Sequence, residues 1–269
     1  MQELGVKLFH RNTSSVELTH AGESFISHAR GIMDAVEQLK QEMDDISQLR
    51  AGRVHIGSMP ITGSHLLPYV LPAFKAAYPH IDVTLLEDSS LHLEKLTAGG
   101  GTDLSLLSLP LQEPTLTYEV IGEEKIDLAV PPGHPLAQFR HNKQGIQLSE
   151  LANEPFILLK KGQGFRRLAL ELCKDAGFEP NIVFESNNME TIQSLVAAGM
   201  GVSLVPRLIA RAKSSELIPV FLPLDPSPSR TLIIAYRRGR YLSKAAEAFI
   251  ATFQSVMQTH IIEQQRDDY

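Results

Sequence analysis

From Thr19 onward the apolar residues fall at Phe25, Ala29, Ile32, Val36, Leu39, Met43 and Ile46, a 4,3,4,3,4,3 spacing that places one continuous seam on a single helix face. A seam of this heptad form suits a helix that pairs with another helix. Thr19 stands where an N-cap belongs, Glu23 lies where a carboxylate meets the positive end of the helix dipole, and Gly52 is the expected stop. The faces outside the seam are polar, with Gln41 to Asp45 read as solvated surface, so the seam points to contact with a second copy of the chain. Packing of the helix on its own domain is the alternative that the spacing leaves open.

Beyond Gly52 the period changes. Arg53 to Gly57 alternates as a strand, Ser64 to Ala77 reads as a helix ending at Tyr78-Pro79, Ile81 to Glu87 as a strand, Ser89 to Ala98 as a helix and Asp103 to Ser108 as a strand. The same order returns in Phe156 to Leu159, Gly164 to Ala176, Asn181 to Glu185, Met189 to Ala198 and Val202 to Val205. Strands alternating with helices of this length predict right-handed βαβ units, a parallel sheet and two α/β lobes. Lys125 to Val130 and the turn-rich PPGHPLA of Pro131 to Ala137 separate the two. Thr231 to Tyr236 is a further strand and Leu242 to Met257 an amphipathic helix, assignable to either lobe on pattern alone, and the polar residues after Thr259 are expected to fray. Ahead of the long helix, ELGVKLFHRNTSSVELTHAGE (Glu3 to Glu23) reads as an apolar helix end, a tight polar turn, a brief extended segment and a capped new helix.

A chain of 269 residues, 43% hydrophobic, suffices for about two domains of roughly 100 to 200 residues each. No window approaches the ~20 uninterrupted apolar residues of a membrane span, and the amino terminus lacks the basic-then-apolar order of a signal peptide. The expectation is a cytoplasmic protein without membrane contact. One cysteine, Cys173, has no internal disulfide partner and reads as structural. The net charge of −6 is not that of a bulk electrostatic nucleic-acid binder, and Lys7 and Arg11 only balance Glu3 and Glu17 near the start. DNA binding by these residues alone would be weak and salt-sensitive. No GxSxG elbow, Walker A loop or HExxH helix occurs, and the glycines at 162–164 and 199–201 lack the rest of a dinucleotide fingerprint. Scattered histidines such as His65 and His134 have no metal-ligand spacing. Neither catalysis nor a metal or cofactor is expected.

Glu3 to Glu23 resembles the closing half of the winged helix-turn-helix domain of LysR-type transcriptional regulators, with the wing around Arg11 to Ser15 and the dimerising linker helix after Thr19. GSHLLPYVLPAFKAAYPHIDVTLLE (Gly63 to Glu87), PPGHPLA and METIQSLVAAGMGVSLVPRLIA (Met189 to Ala210) are similar to successive pieces of that family's effector-binding domain, so the resemblance covers nearly the whole chain. It implies an α/β fold: a partial winged helix-turn-helix and a long linker helix followed by two Rossmann-like lobes of periplasmic-binding-protein type. The implied segments are a winged-helix remnant over 1–20, a linker helix over 21–50, lobe I over 53–130 with 231–258, and lobe II over 131–230, with crossovers near Val130 and Thr231. In the family about forty residues precede this point and carry the first helices and most of the recognition helix. The expectation is therefore a regulator whose DNA reader is largely missing, or alternatively an effector-binding dimerisation protein that no longer binds DNA. Implied partners are promoter DNA, touched by Lys7, Arg11, Asn12 and Thr13, and further copies of the chain in a homodimer or homotetramer through Phe25, Ile32, Val36, Leu39, Met43 and Ile46. One departure is Gly99 to Gly101 with Thr102, where the family usually has a small acidic stretch.

In such a two-lobed protein the ligand belongs in the crevice at the carboxyl ends of the strands, where helix amino termini present free N–H groups. Candidate contacts to a small, anionic metabolite are Ser58, Thr62, Gly63 and Ser64 in the first lobe, although Thr62 or Ser64 can equally be a plain N-cap. Met59 stands where the family often has a serine or threonine. Ser108 follows the third strand, and the second lobe supplies Gly164, Ser186, Asn187 and Asn188. Arg166 or Arg167 can pair with a carboxylate, with exposure in the first turn of a helix as the plainer reading of both.

Overall fold

The computed structural model describes residues 4–11, 16–46, 52–141, 145–210 and 217–267. Strands β1 (Phe9–Arg11) and β2 (Val16–Leu18) pair antiparallel, Phe9 opposite Leu18, and lead into α1 (His20–Ile46). Thr19 is the cap that its position predicts: its Oγ1 accepts the Gly22 N–H at 2.9 Å and donates to the Lys7 carbonyl at 2.6 Å. That second bond ties the helix start to the hairpin. Gly22 packs so closely on the Leu8 carbonyl that a Cβ there would overlap it. The apolar helix end expected at Leu4 to Val6 is a bend instead, because Gly5 takes a φ of 64°, which a right-handed helix cannot hold. Gly52 is the first residue of a strand, and the segment between it and the last described residue of the helix, 47–51, lies outside the described residues.

The first lobe is built from β3 (Gly52–Ser58), α2 (Pro60–Ala77), β4 (Ile81–Glu87), α3 (Ser90–Ala98) and β5 (Leu104–Ser108), with β3 lying parallel between β4 and β5. Next comes β6 (Leu116–Val130), and then the second lobe: β7 (Pro155–Leu159), α4 (Gly164–Asp175), β8 (Asn181–Ser186), α5 (Met189–Ala197), β9 (Ser203–Pro206), α6 (Arg207–Ala210) and β10 (Val220–Pro223). The chain returns to lobe I as β11 (Ser229–Arg237) and ends in α7 (Lys244–Asp267). The helix continues past Thr259, where fraying was expected.

The strand β6 belongs to both lobes. Leu116 to Lys125 pairs antiparallel with β11, and the following residues pair with β9 and β10. One crossing therefore falls at Lys125–Ile126 rather than near Val130, and PPGHPLA lies inside the second lobe. The return crossing is the link between Pro223 and Ser229, just ahead of Thr231. The sheet is mixed, not purely parallel, because β11 enters antiparallel to β5 and needs no crossover helix.

Each lobe has its own core. In lobe I, Val54, Ile56, Val70, Phe74 and Ile234 meet Phe249 and Phe253 of α7, with the Phe74 and Phe249 rings 5.3 Å apart edge to face. In lobe II, Phe156, Ile157, Cys173, Ile192, Val196 and Leu204 are fully buried. Ile61, at the start of α2, crosses over to pack against that second core. Among the described residues no helix is long and apolar enough to cross a membrane.

Candidate effector cleft

Helix α2 starts at Pro60, four residues earlier than the apolar pattern suggests, because proline at N1 needs no N–H partner and has its φ already set. Thr62, Gly63 and Ser64 therefore sit in the opening turns of a helix capped by Met59, and neither Thr62 nor Ser64 is its N-cap. Ser58 ends β3 fully buried, with its hydroxyl on the Met59 carbonyl at 3.0 Å. The Gly63 N–H is bound to Met59 at 2.9 Å, and its missing side chain makes room for the Ser58 hydroxyl. Ser64 turns back onto the Ile61 carbonyl at 3.1 Å. Thr62 is different: it is 1% exposed and its Oγ1 has no hydrogen-bond partner among the described residues.

Facing this turn is the start of α5. Asn188 is its N-cap, with Oδ1 accepting the N–H of Glu190 at 2.7 Å and of Thr191 at 3.3 Å, while the Asn188 N–H rests on Ser186 Oγ at 3.1 Å. The Asn188 oxygen and the Ser186 hydroxyl are thus occupied in building the turn. A cavity of about 550 Å³ lies between the two helix starts, walled by Ile61, Ser64, His65 and Glu87 on one side and Asn187, Asn188 and Glu190 on the other.

A second cavity, about 380 Å³, opens on the far side of the lobe junction between α3 and α4. Lobe I contributes Ser90, Glu94, Ser108 and Pro110, and lobe II contributes Lys161, Gly164, Arg167 and Lys174. Three bonds span the gap: Ser90 Oγ accepts the Gly164 N–H at 2.9 Å and donates to the Gly162 carbonyl at 3.5 Å, and Arg167 Nη2 donates to the Pro110 carbonyl at 2.8 Å. The carboxylate of Glu94 is closed off by the N–H groups of Gln112 and Glu113 at 2.7 and 2.8 Å. The two mouths differ in charge. Glu87 and Glu190 rim the first, whereas the second carries Lys161, Arg167 and Lys174 beside Glu171, whose carboxylate lies 3.9 Å from Arg167.

The residues expected to form one site are thus divided. Ser64, Asn187 and Asn188 line the first cavity, Ser108 and Gly164 the second, and Ser58, Thr62, Gly63 and Ser186 line neither of the two. Arg166 is not exposed: it lines the second cavity but is buried, donates to the Leu159 carbonyl at 2.6 Å, and the carboxylate it pairs with is Glu185 of its own lobe. Sequence reasoning passed over Ser90, whose partner Gly164 lies 74 residues on, and over Glu87 and Lys161, which line the two cavities. Behind the cleft, at the crossing strands, Arg230 and Glu124 form a buried pair at 2.6 Å with the guanidinium 5.2 Å from the Phe165 ring of lobe II.

Outside the lobes, Lys7 is exposed beside the hairpin, Arg11 ends β1, and Asn12 and Thr13 lie outside the described residues. Phe25, Ile32, Val36, Leu39 and Met43 are 44%, 66%, 43%, 58% and 48% exposed, so this part of the apolar seam has no cover among the described residues; the side chain of Ile46 lies outside them. Cys173 is buried, and burial pushes its thiol up to about 11.

Residues 47–258 match the LysR substrate binding domain. The chain belongs to the LysR family of transcriptional regulators. It is 39% identical to the uncharacterized HTH-type transcriptional regulator YcgK of Bacillus subtilis (strain 168), across 92% of this chain and 80% of that protein. A full-length OxyR variant from Pseudomonas aeruginosa has the same fold, with a TM-score of 0.72 and 25% identity across 96% of this chain and 82% of that one. The regulatory domain of Synechocystis PCC6803 CcmR, solved in complex with 2-PG, gives a TM-score of 0.70 and 25% identity, covering 77% of this chain and 97% of that one. A LysR-type effector-binding domain of two α/β lobes, carrying a long helix and a strand hairpin at its amino end, accounts for every described element.

Proposed function

We propose that this LysR-type regulator takes a small anionic metabolite between its lobes and passes their closure through α1 to paired DNA-binding elements on promoter DNA. The observation that carries the reading is the excess of cations at the second cavity: Lys161, Arg167 and Lys174 line it against the exposed carboxylate of Glu171, where the lobes are already bridged by Ser90–Gly164 and Arg167–Pro110. Clustered cations over a partly desolvated cleft concentrate an anion and reward a carboxylate or phosphate with charge-assisted bonds. An effector with higher affinity for the closed arrangement shifts the population towards it. That the CcmR domain was solved with 2-PG supports a small-molecule effector for this fold.

In this reading residues 1–20 contact DNA, with Lys7, Arg11, Asn12 and Thr13 setting position rather than reading bases. Residues 21–50 join two copies through the exposed seam, in a homodimer or a homotetramer, and the lobes over 53–130 with 231–258 and over 131–230 sense the effector. The test is a thermal-shift titration of the purified chain with a panel of carboxylates and phosphate esters. A saturable rise in melting temperature with one anion, weakened at least tenfold in Lys161→Glu/Lys174→Glu, supports the reading. A response only to uncharged compounds, or one indifferent to the double substitution, overturns the anionic assignment.

A further inference from the structure

Helix α1 has two working faces. Each residue advances about 100° around the axis, which puts Phe25, Ile32, Val36, Leu39 and Met43 on one side and Asp34, Gln38 and Asp45 on the opposite side. The apolar side is exposed, whereas the polar side meets lobe I. Asp34 is 7% exposed despite its charge. Its Oδ2 lies 2.8 Å from Arg237 Nη1 and its Oδ1 2.8 Å from Arg240 Nη2. Gln38 Nε2 donates to the same carboxylate at 2.9 Å. Arg240 continues to Asp103 at 3.0 Å, and Asp103 accepts the His55 N–H at 2.8 Å, which anchors the network in β3 of lobe I. Gly100, with a φ of 79°, lets the backbone approach so closely that a Cβ there would overlap the Asp34 carboxylate. A second anchor lies three turns along: Asp45 accepts the Tyr241 hydroxyl at 2.7 Å and the Lys244 N–H at 2.9 Å.

A buried carboxylate between two guanidinium groups costs desolvation that only close geometry offsets, so it specifies an orientation more than it adds stability. Arg237 ends β11, the strand that comes directly from the return crossing between the lobes, and Arg240 follows it. We infer that Asp34, Arg237 and Arg240 are positioning residues that fix α1 on lobe I of its own chain. Lobe I thereby sets the direction in which the opposite, apolar face meets a second copy. The last step rests on the proposed role of that face in dimerisation; the docking itself does not.

The experiment uses the full chain carrying Asp45→Cys and Lys244→Cys, which replaces the second anchor by a thiol pair and leaves the Asp34 network to hold the helix. Cys173 is buried and stays out of the exchange. Mild oxidation followed by non-reducing electrophoresis reads the rate at which an intrachain disulfide forms, and size exclusion reads the dimer fraction. The expected result is rapid intrachain closure that slows at least tenfold when Asp34→Asn is added, at an unchanged melting temperature of the lobes. Arg237→Gln, which leaves Arg240 on Asp103, gives an intermediate rate and serves if Asp34→Asn folds poorly; Asp34→Glu recovers most of the original rate. Equal rates with and without Asp34→Asn and Arg237→Gln, or a disulfide formed only between chains, overturn the inference. Fast intrachain closure in a protein that stays monomeric upholds the docking and removes the dimerisation reading instead.

Discussion

Ser90 Oγ stands 2.9 Å from the backbone nitrogen of Gly164, and through that bond α3 of lobe I holds the first turn of α4 in lobe II. A Cβ at position 164 would come within 3.0 Å of the same hydroxyl, so the glycine is what permits the approach. The bond consumes a helix N-terminal donor that an anion would otherwise use. Ser90→Ala should therefore loosen the junction, costing about 1 kcal/mol of stability and speeding amide exchange in the first turn of α4. Exchange measured by mass spectrometry checks this; protection of that turn unchanged from the parent would show that the lobes are held by other contacts.

Thr62 gives a sharper test of the cleft. Replacing a buried hydroxyl that has no partner among the described residues by a methyl group of the same shape relieves an unsatisfied polar atom, so Thr62→Val should keep or raise stability by up to about 1 kcal/mol. If that hydroxyl is reserved for the effector, the same substitution weakens the effector response about tenfold or more. Melting temperature and ligand titration on one sample separate the two effects. A variant that is both more stable and fully responsive would remove Thr62 from the site.

At the crossing strands the buried pair of Arg230 and Glu124 makes an asymmetric prediction. Glu124→Ala leaves a guanidinium buried without its counter-charge and should cost about 3 to 5 kcal/mol, whereas Arg230→Met with Glu124→Leu should be nearly neutral in stability. The double variant also removes the cation over Phe165, which joins the strand to lobe II. Denaturant unfolding of the three proteins decides it; near-equal losses for single and double variants would mean that the pair is no coupled unit.

Most strands and helices were legible because their apolar spacing is their own: β4 matches its predicted bounds and β3, β5, β7, β8 and β9 lie within two residues of theirs. The first half of β6 was not. Gly122, Glu123, Glu124 and Lys125 show no apolar alternation, and Glu124 is buried only because Arg230 arrives 106 residues later to neutralise it. The start of α2 was readable at Pro60 but was masked by the polar run that follows. In the cleft, Ser90 could not be singled out, since its role depends on Gly164 being brought to it across 74 residues. Arg166 was misjudged for the same reason, as its partners Leu159 and Glu185 belong to neighbouring strands. Local periodicity carries elements; the polar partners of a site are long-range facts.

Cys173 yields a pH prediction. Its thiol ionises at about 11 when folded, against an ordinary 9.0, because burial disfavours the thiolate. The folded state thus resists ionising while the unfolded chain does not. The associated stability is complete below pH 9 and is lost as pH rises through about 11, about 2 to 3 kcal/mol in all. Comparison with Cys173→Ala isolates this from other alkaline groups, since the difference between the two stability curves should narrow over that range. The same burial predicts no labelling of the native protein by iodoacetamide at neutral pH, and rapid labelling would place the thiol in the open.

DNA affinity should depend on salt in proportion to the phosphates neutralised, with a logarithmic slope of about −0.9 for each. Near the hairpin the basic side chains are Lys7 and Arg11, two per subunit and four in a dimer. The slope for this chain on duplex DNA should then be no steeper than about −4, and Lys7→Ala should flatten it by about 2 per dimer. Fluorescence anisotropy across a salt series gives both values. Because such contacts position without reading bases, the affinity should also vary little between sequences. A slope much steeper than −4 that Lys7→Ala leaves untouched would mean that DNA is held by a surface other than the hairpin, whereas loss of Lys7 that weakens all sequences equally identifies the hairpin as a phosphate clamp.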